Sequence, residues 1–246
     1  MTAPFLDGDG RRARIGLVVP SVNTVMEPWA QRTVPEGVSV MTARMFMPTD
    51  TTIDAIIEMD RTDGQRAIRQ LSSAYPHVIA YGCTASSIVQ GLAYDAHLRQ
   101  EIAEAYDVPA TTAAHAIITA LQAVGAKTIS IVSPYTKAVD TAEHAYFESA
   151  GFSVIGGAYL SIKDGFRLAE PSVETLLDLA RRGMDVRSDA LVISCLNTRS
   201  HAVIATLEKQ LGKPVITSTQ ATLWHSLRLA GVEDRISGFG RLLEVH

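Results

Sequence analysis

The sequence predicts an α/β fold built from two similar lobes with mainly parallel sheets, and three observations carry that prediction. Apolar runs rich in Val and Ile alternate with longer stretches of helical periodicity, the order that gives parallel strands covered by helices. Residues ending matching runs recur at one separation: Asn23 and Tyr135, Thr24 and Thr136, and Cys83 and Cys195 are each 112 apart. A longer echo pairs VPATTAAHAIITALQAVG (108–125) with KPVITSTQATLWHSLRLAGV (213–232), at an offset of 105 to 106. Three shared registers and one echo point to duplication of a single unit.

In chain order, ARIGLVVP (13–20) is the first strand, apolar throughout as a strand covered on both faces should be. Asn23 and Thr24 follow as caps for a helix starting near Met26. GVSVMTARM (37–45) is a weaker strand, and TTIDAIIEMDRTDGQRAIRQLSSA (51–74) reads as one long helix. HVIAYG (77–82) is a strand running into Cys83. AHAIITALQAVG (114–125) is helical and closes on Gly, the usual residue beyond a helix end. The second half repeats the scheme: strand AKTISIV (126–132), helix DTAEHAYFESAG (140–151), strand GFSVIGGAYL (151–160), helix VETLLDLARRG (173–183) and strand DALVISC (189–195).

Composition narrows the function. With 246 residues, 47% of them hydrophobic, the chain has material for a sizeable core. A formal charge of −4 with no run of five like charges gives no field to attract nucleic acid or an anionic membrane surface. No apolar stretch reaches the length of a membrane span, and MTAPFLDGDGRRAR at the start has no signal-peptide character. The expected setting is the cytoplasm, and the expected partner a small molecule, with self-association into a homo-oligomer left open. Seven scattered histidines make no metal motif, and no P-loop or GxGxxG fingerprint is present, so neither metal nor nucleotide cofactor is expected. Two cysteines are too few for a disulfide framework and should be free thiols.

The strand ends are the candidate site. In open α/β sheets ligands bind outside the carboxyl ends of the strands, so two such lobes facing each other would set Cys83 and Cys195 on one cleft. A strand-to-helix junction presents unpaired N–H groups, which stabilise a thiolate and bind carboxylate oxygens. In YGCTASS the hydroxyls of Thr84, Ser86 and Ser87 and the amides of Thr84, Ala85 and Ser86 are candidates for that task. In SCLNTRS the candidates are the Asn197 and Thr198 side chains and the amides of Leu196, Asn197 and Thr198. Asn23 and Tyr135 would add an amide and a phenol. Together they imply a small carboxylate or dicarboxylate substrate, with the thiols acting as paired acid and base or as nucleophile and proton donor. Buried cysteines often only fill space, and a non-catalytic acid-binding protein would show the same residues.

RIGLVVPSVNTVMEP (14–28), YGCTAS (81–86), SPYTKAV (133–139), SCLNTRS (194–200) and LGKPVITSTQATLWHSLRLAG (211–231) resemble the aspartate/glutamate racemase superfamily. Within it they are most similar to maleate cis-trans isomerase and arylmalonate decarboxylase. The resemblance implies two Rossmann-like lobes, 1–112 with 216–246 and 113–215, around a cofactor-independent site. The isomerase pattern would make Cys83 the thiolate that adds to the alkene, Cys195 the proton donor, and Asn23 and Tyr135 the carboxylate holders. The decarboxylase pattern would use Thr84, Ala85 and Tyr135 to stabilise an enediolate and Cys195 as its one essential thiol, with glycine where this chain has Cys83. Two departures stand out: Lys163-Asp164-Gly165 where an isomerase has an Asp-Asn-like pair, and Ala85 where a decarboxylase has serine. The expected enzyme is a cofactor-independent isomerase or racemase of a small carboxylic or dicarboxylic acid, most concretely converting maleate to fumarate, with decarboxylation of arylmalonates the alternative.

Overall fold

A computed structural model describes residues 9–246. Residues 1–8, most of the stretch MTAPFLDGDGRRAR read above and the beginning of the expected first lobe, lie outside the described residues. The chain forms two four-stranded sheets, every strand pair parallel. The first contains β1 (Ala13–Pro20), β2 (Val38–Met45), β3 (Val78–Tyr81) and β4 (Ala110–Thr112), in the order β2-β1-β3-β4. The second contains β5 (Thr128–Ser133), β6 (Ser153–Tyr159), β7 (Ala190–Ile193) and β8 (Val215–Thr217), in the order β6-β5-β7-β8. The second order is the first repeated, as duplication requires.

Helices cover both sheets. In the first half they are α1 (Met26–Thr33), α2 (Ile53–Met59), α3 (Gln65–Ser72), α4 (Thr84–Tyr106) and α5 (Ala113–Ala123). The second half adds α6 (Lys137–Ser149), α7 (Val173–Gly183), α8 (Ile204–Leu211), α9 (Ser218–Leu229) and α10 (Arg241–Val245). The expected single helix over 51–74 is instead α2 and α3 joined by a π-helical turn, Asp60–Gly64. The wider turn carries Asp60 inward, where it is buried and accepts hydrogen bonds from Tyr81, Ser86, Gln90 and Tyr94. Periodicity in the sequence cannot register one inserted residue whose cause lies on β3 and α4.

The echo between 108–125 and 213–232 marks the same structural step in each half: a three-residue strand capped directly into a helix. Thr112 caps α5 by accepting from His115 N at 3.0 Å, and Thr217 caps α9 by accepting from Gln220 N at 3.1 Å. These strands, β4 and β8, are too short to produce an apolar run. α5 and α9 pack on each other, and α9 also lies against β3 and β4 of the first sheet. Around them one continuous core joins Ile15, Leu17 and Ala80 from the first sheet to Ile129, Ile131 and Val192 from the second. The tail after α9 is tied back to the first half, where Arg12 Nη1 donates to Asp234 Oδ1 at 3.0 Å and Trp29 of α1 meets Phe239 edge-on at 5.3 Å.

Gly82 sits between β3 and Cys83. Its N–H donates to Val18 O at 2.6 Å, and a Cβ there would lie 2.7 Å from that oxygen and 2.8 Å from Leu196 Cδ2. Contact with a backbone oxygen has no flexible side chain to absorb it. Gly82→Ala is expected to cost about 1–3 kcal/mol, measurable as a lowered urea midpoint.

Candidate active site

The central strands of each sheet end side by side. From β1 comes the 21–25 loop, from β3 Gly82-Cys83, from β5 Pro134-Tyr135-Thr136, and from β7 the 194–199 turn. They enclose a small cavity of about 50 Å³ lined by Asn23, Cys83, Thr84, Ala85, Tyr135, Cys195, Leu196 and Asn197. Since one water occupies roughly 10–15 Å³ on this measure, the space suits a ligand of few atoms. The remaining wall is largely apolar: Val22, Met47, Ile56, Val139 and Leu168. Among the described residues no Lys, Arg, Asp or Glu lines it. An acid bound there would be held by backbone N–H groups, hydroxyls and amides.

The two cysteines reach the cavity by different routes. Cys83 is the extended residue before α4, as expected, but Gly91 breaks α4 at φ 88° and leaves only 84–90 as its first helical segment. Cys195 does not lead straight into a helix. It takes a left-handed φ of 89° and opens a turn closed by Thr198 N donating to Cys195 O at 3.2 Å. Such a φ is strained for a residue with a Cβ, and the turn aims Cys195 into the cavity. Both cysteines are free and buried.

Burial pushes both thiols above their ordinary range. For Cys83 the Asp60 carboxylate adds to that, and the N–H groups of Ser86 and Ala85 offset only part of it. For Cys195 the opposing groups are the Thr198 hydroxyl, the Asn197 N–H and the Tyr135 phenol. The strand-to-helix junction expected to stabilise a thiolate at Cys83 is opposed here by burial. A helix interrupted after seven residues gives a weak dipole, and removal from water outweighs it.

The other expected residues fall into distinct groups. Asn23, fully buried, accepts from Val25 N at 3.1 Å and Met26 N at 2.9 Å through Oδ1, so it caps α1 and keeps its amide nitrogen to offer the cavity. Tyr135 is buried and lines the same cavity as Cys195. Thr84 Oγ1 is buried without a protein partner, while Ser86 gives its hydroxyl to the Asp60 carboxylate and does not line the cavity. Thr198 is not on the cavity wall; its hydroxyl donates to Leu168 O at 3.1 Å and lies beside Cys195. Asn197 is on the wall with its side chain committed elsewhere. Nδ2 donates to Gly165 O at 2.9 Å and Val22 O at 3.2 Å, and Oδ1 accepts from Thr24 N at 2.9 Å.

Gly165 belongs to a clasp over the cavity. Thr51 N donates to Lys163 O and Gly165 N to Thr49 O, both at 2.9 Å, so a loop from the first half pairs with one from the second. A Cβ at Gly165 would meet Thr51 Cγ2 at 3.0 Å and Val22 Cγ2 at 3.1 Å. The clasp contributes Thr51 and Gly165 to the lining, and Met47, Ile56, Val139 and Leu168 complete it. Of these, sequence reasoning singled out only Gly165, since the rest are ordinary apolar or hydroxyl residues until loops from both halves meet.

The fold and the cavity together define a double-lobed α/β protein with one cysteine per lobe on a shared site. The family model for arylmalonate decarboxylase matches residues 15–243, and the chain belongs to that family. It is 31% identical to a maleate isomerase of Pseudomonas putida, over 94% of this chain and 96% of that protein. It is 27% identical to an arylmalonate decarboxylase of Bordetella bronchiseptica, over 94% and 96%. Among solved structures, a cysteine-to-serine variant of Nocardia farcinica maleate cis-trans isomerase with a covalently bound succinylcysteine intermediate superposes with a TM-score of 0.90. There the identity is 26%, covering 95% of this chain and 99% of that one.

Asn197→Ala would leave Thr24 N–H and the carbonyls of Val22 and Gly165 without this partner. We expect a loss of about 2–4 kcal/mol, read as a fall in melting temperature together with a raised KM as the clasp loosens.

Proposed function

We propose that this chain is a cofactor-independent cis-trans isomerase of small unsaturated dicarboxylates, converting maleate to fumarate in the cytoplasm, where free thiols stay reduced. The observation that carries the reading is the pair of cysteines on one small cavity, at matching strand ends. The similarity to maleate isomerases, one with a succinylcysteine adduct, supports it. The fraction of Cys83 present as thiolate attacks: its Sγ forms a bond to one alkene carbon as the π pair moves to the neighbouring carbon, where it takes the Cys195 proton, and Cys83 leaves again as thiolate when the adduct collapses. The former double bond, now single, rotates. Cys195 Sγ then recovers the proton, the C–S bond breaks, and fumarate leaves. The Asn23 amide, the Tyr135 phenol, the Thr84 hydroxyl and the N–H groups of Thr84, Ala85, Leu196 and Asn197 would hold the carboxylates.

A second reading, decarboxylation of arylmalonates with Cys195 as proton donor, draws support from the family match and from the apolar wall of Met47, Ile56, Val139 and Leu168, which suits an aryl or alkyl substituent. Cys83→Ala and Cys195→Ala separate the readings. Under the isomerase mechanism each lowers maleate turnover by at least roughly 10²-fold, followed by loss of maleate absorbance. Carbon dioxide release from phenylmalonate that survives Cys83→Ala and is abolished by Cys195→Ala would replace it with the decarboxylase. Maleate binding without turnover, undiminished in both variants, would leave a binding protein.

The pH dependence follows from the raised Cys83 thiol. Its thiolate grows as pH rises toward the elevated pKa, so kcat/KM for maleate should climb from pH 6 to pH 9 instead of levelling near neutrality. A steady-state pH profile checks this.

A further inference from the structure

Asp60 is a buried acid that the mechanism above does not use. It stands on the π-helical turn between α2 and α3, one helical turn beyond Ile56 of the cavity wall. Its carboxylate is fully engaged by neutral donors. Tyr81 Oη donates to Oδ1 at 2.5 Å, while Ser86 Oγ, Gln90 Nε2 at 2.7 Å and Tyr94 Oη at 3.2 Å all donate to Oδ2. A hydrophobic side chain would fill the same space without the cost of burying a charge. What it could not do is fix four donors to one point.

Those donors come from three successive pieces of chain around Cys83. Tyr81 ends β3 two residues before it, Ser86 and Gln90 lie on the helical segment 84–90 that follows it, and Tyr94 lies beyond the break at Gly91. With φ 88° at Gly91, that segment does not take its direction from the longer helix after the break. Seven residues are also too few to form a stable helix unaided. The carboxylate grips the segment near its start through Ser86 and at its end through Gln90, and grips the preceding strand through Tyr81. Gly64, on the same π-turn, makes room for this: a Cβ there would lie 2.9 Å from Tyr81 Oη.

We propose that Asp60 is a positioning residue for Cys83, a carboxylate that fixes the detached segment 84–90 against β3 and so sets where Cys83 Sγ and the N–H groups of Thr84 and Ala85 meet the ligand. The inference rests on the reading of residues 83–85 as part of the site. Asp60 touches no ligand itself; it acts through Ser86, Gln90 and Tyr81, none of which lines the cavity.

The test combines site-resolved thiol labelling with amide hydrogen exchange, neither of which needs turnover. Wild type, Asp60→Ala, Asp60→Asn and Ser86→Ala are pulsed with iodoacetamide at one fixed pH, and Cys83 and Cys195 are quantified separately by peptide mass spectrometry. Asp60→Ala should raise both Cys83 labelling and amide exchange across 84–90 by at least roughly tenfold, the scale of a lost hydrogen bond to a charged group. Cys195 labelling and exchange in α9 should stay at wild-type rates. Asp60→Asn keeps the shape and one acceptor oxygen, and should recover part of the wild-type behaviour. Ser86→Ala removes a single donor off the cavity wall and should show a smaller effect confined to Cys83, a readout that stands even if Asp60→Ala misfolds. Equal changes at both cysteines, or Cys83 labelling unchanged in folded Asp60→Asn and Ser86→Ala, would overturn the proposal. A rise specific to Cys83 in a chain that turns over no maleate would uphold it and count against the isomerase reading alone.

Discussion

The site depends on holding loops from opposite halves of the chain in one register, and the Asn197 carboxamide is the group that does so. Its three hydrogen bonds join the loop after β1, through Val22 and Thr24, to the loop after β6, through Gly165, while Asn197 itself sits two residues beyond Cys195. Any sliding of one lobe against the other would break these bonds and alter the spacing of the cysteines. The packed α5–α9 pair resists such sliding from beneath, and the 49–51 clasp with 163–165 resists it from above. A cavity of this size tolerates little misalignment.

Within that frame the two cysteines are alike in position and unlike in surroundings. Cys83 ends an extended strand, with Asp60 held nearby by four side-chain donors. Cys195 lies on a left-handed turn closed by Thr198 and shares the cavity wall with Tyr135. Duplicated frames thus carry different local chemistry, as a reaction needs when one sulfur must attack and the other must donate. Both thiols share one constraint: burial excludes water and favours the neutral form. The chemistry proposed here has to work against that preference at Cys83 and with it at Cys195.

Parts of this were legible before any fold was seen. β1 coincides with its apolar run, and β3, β5 and β7 fall within or one residue beyond theirs, because a strand covered on both faces must be apolar along its length. The 112-residue register was legible because duplicated strands deliver equivalent residues to equivalent ends. Less visible were β4 and β8, three residues each, which left only the repeated threonine caps as a trace. The π-turn at Asp60–Gly64 was hidden, since its cause is a set of donors on β3 and α4.

The sequence by itself determined the lobes, their parallel strands and the pairing of Cys83 with Cys195, all properties of periodicity and spacing. Tertiary structure alone decided that Asn197 fastens loops, that Ser86 serves Asp60, that Met47, Ile56, Val139 and Leu168 wall the cavity, and that the Thr198 hydroxyl turns to Leu168 O. The physical reason is common to all four. Which partner a side chain meets across two lobes is set by the packing of elements far apart in the chain, and no local pattern encodes it.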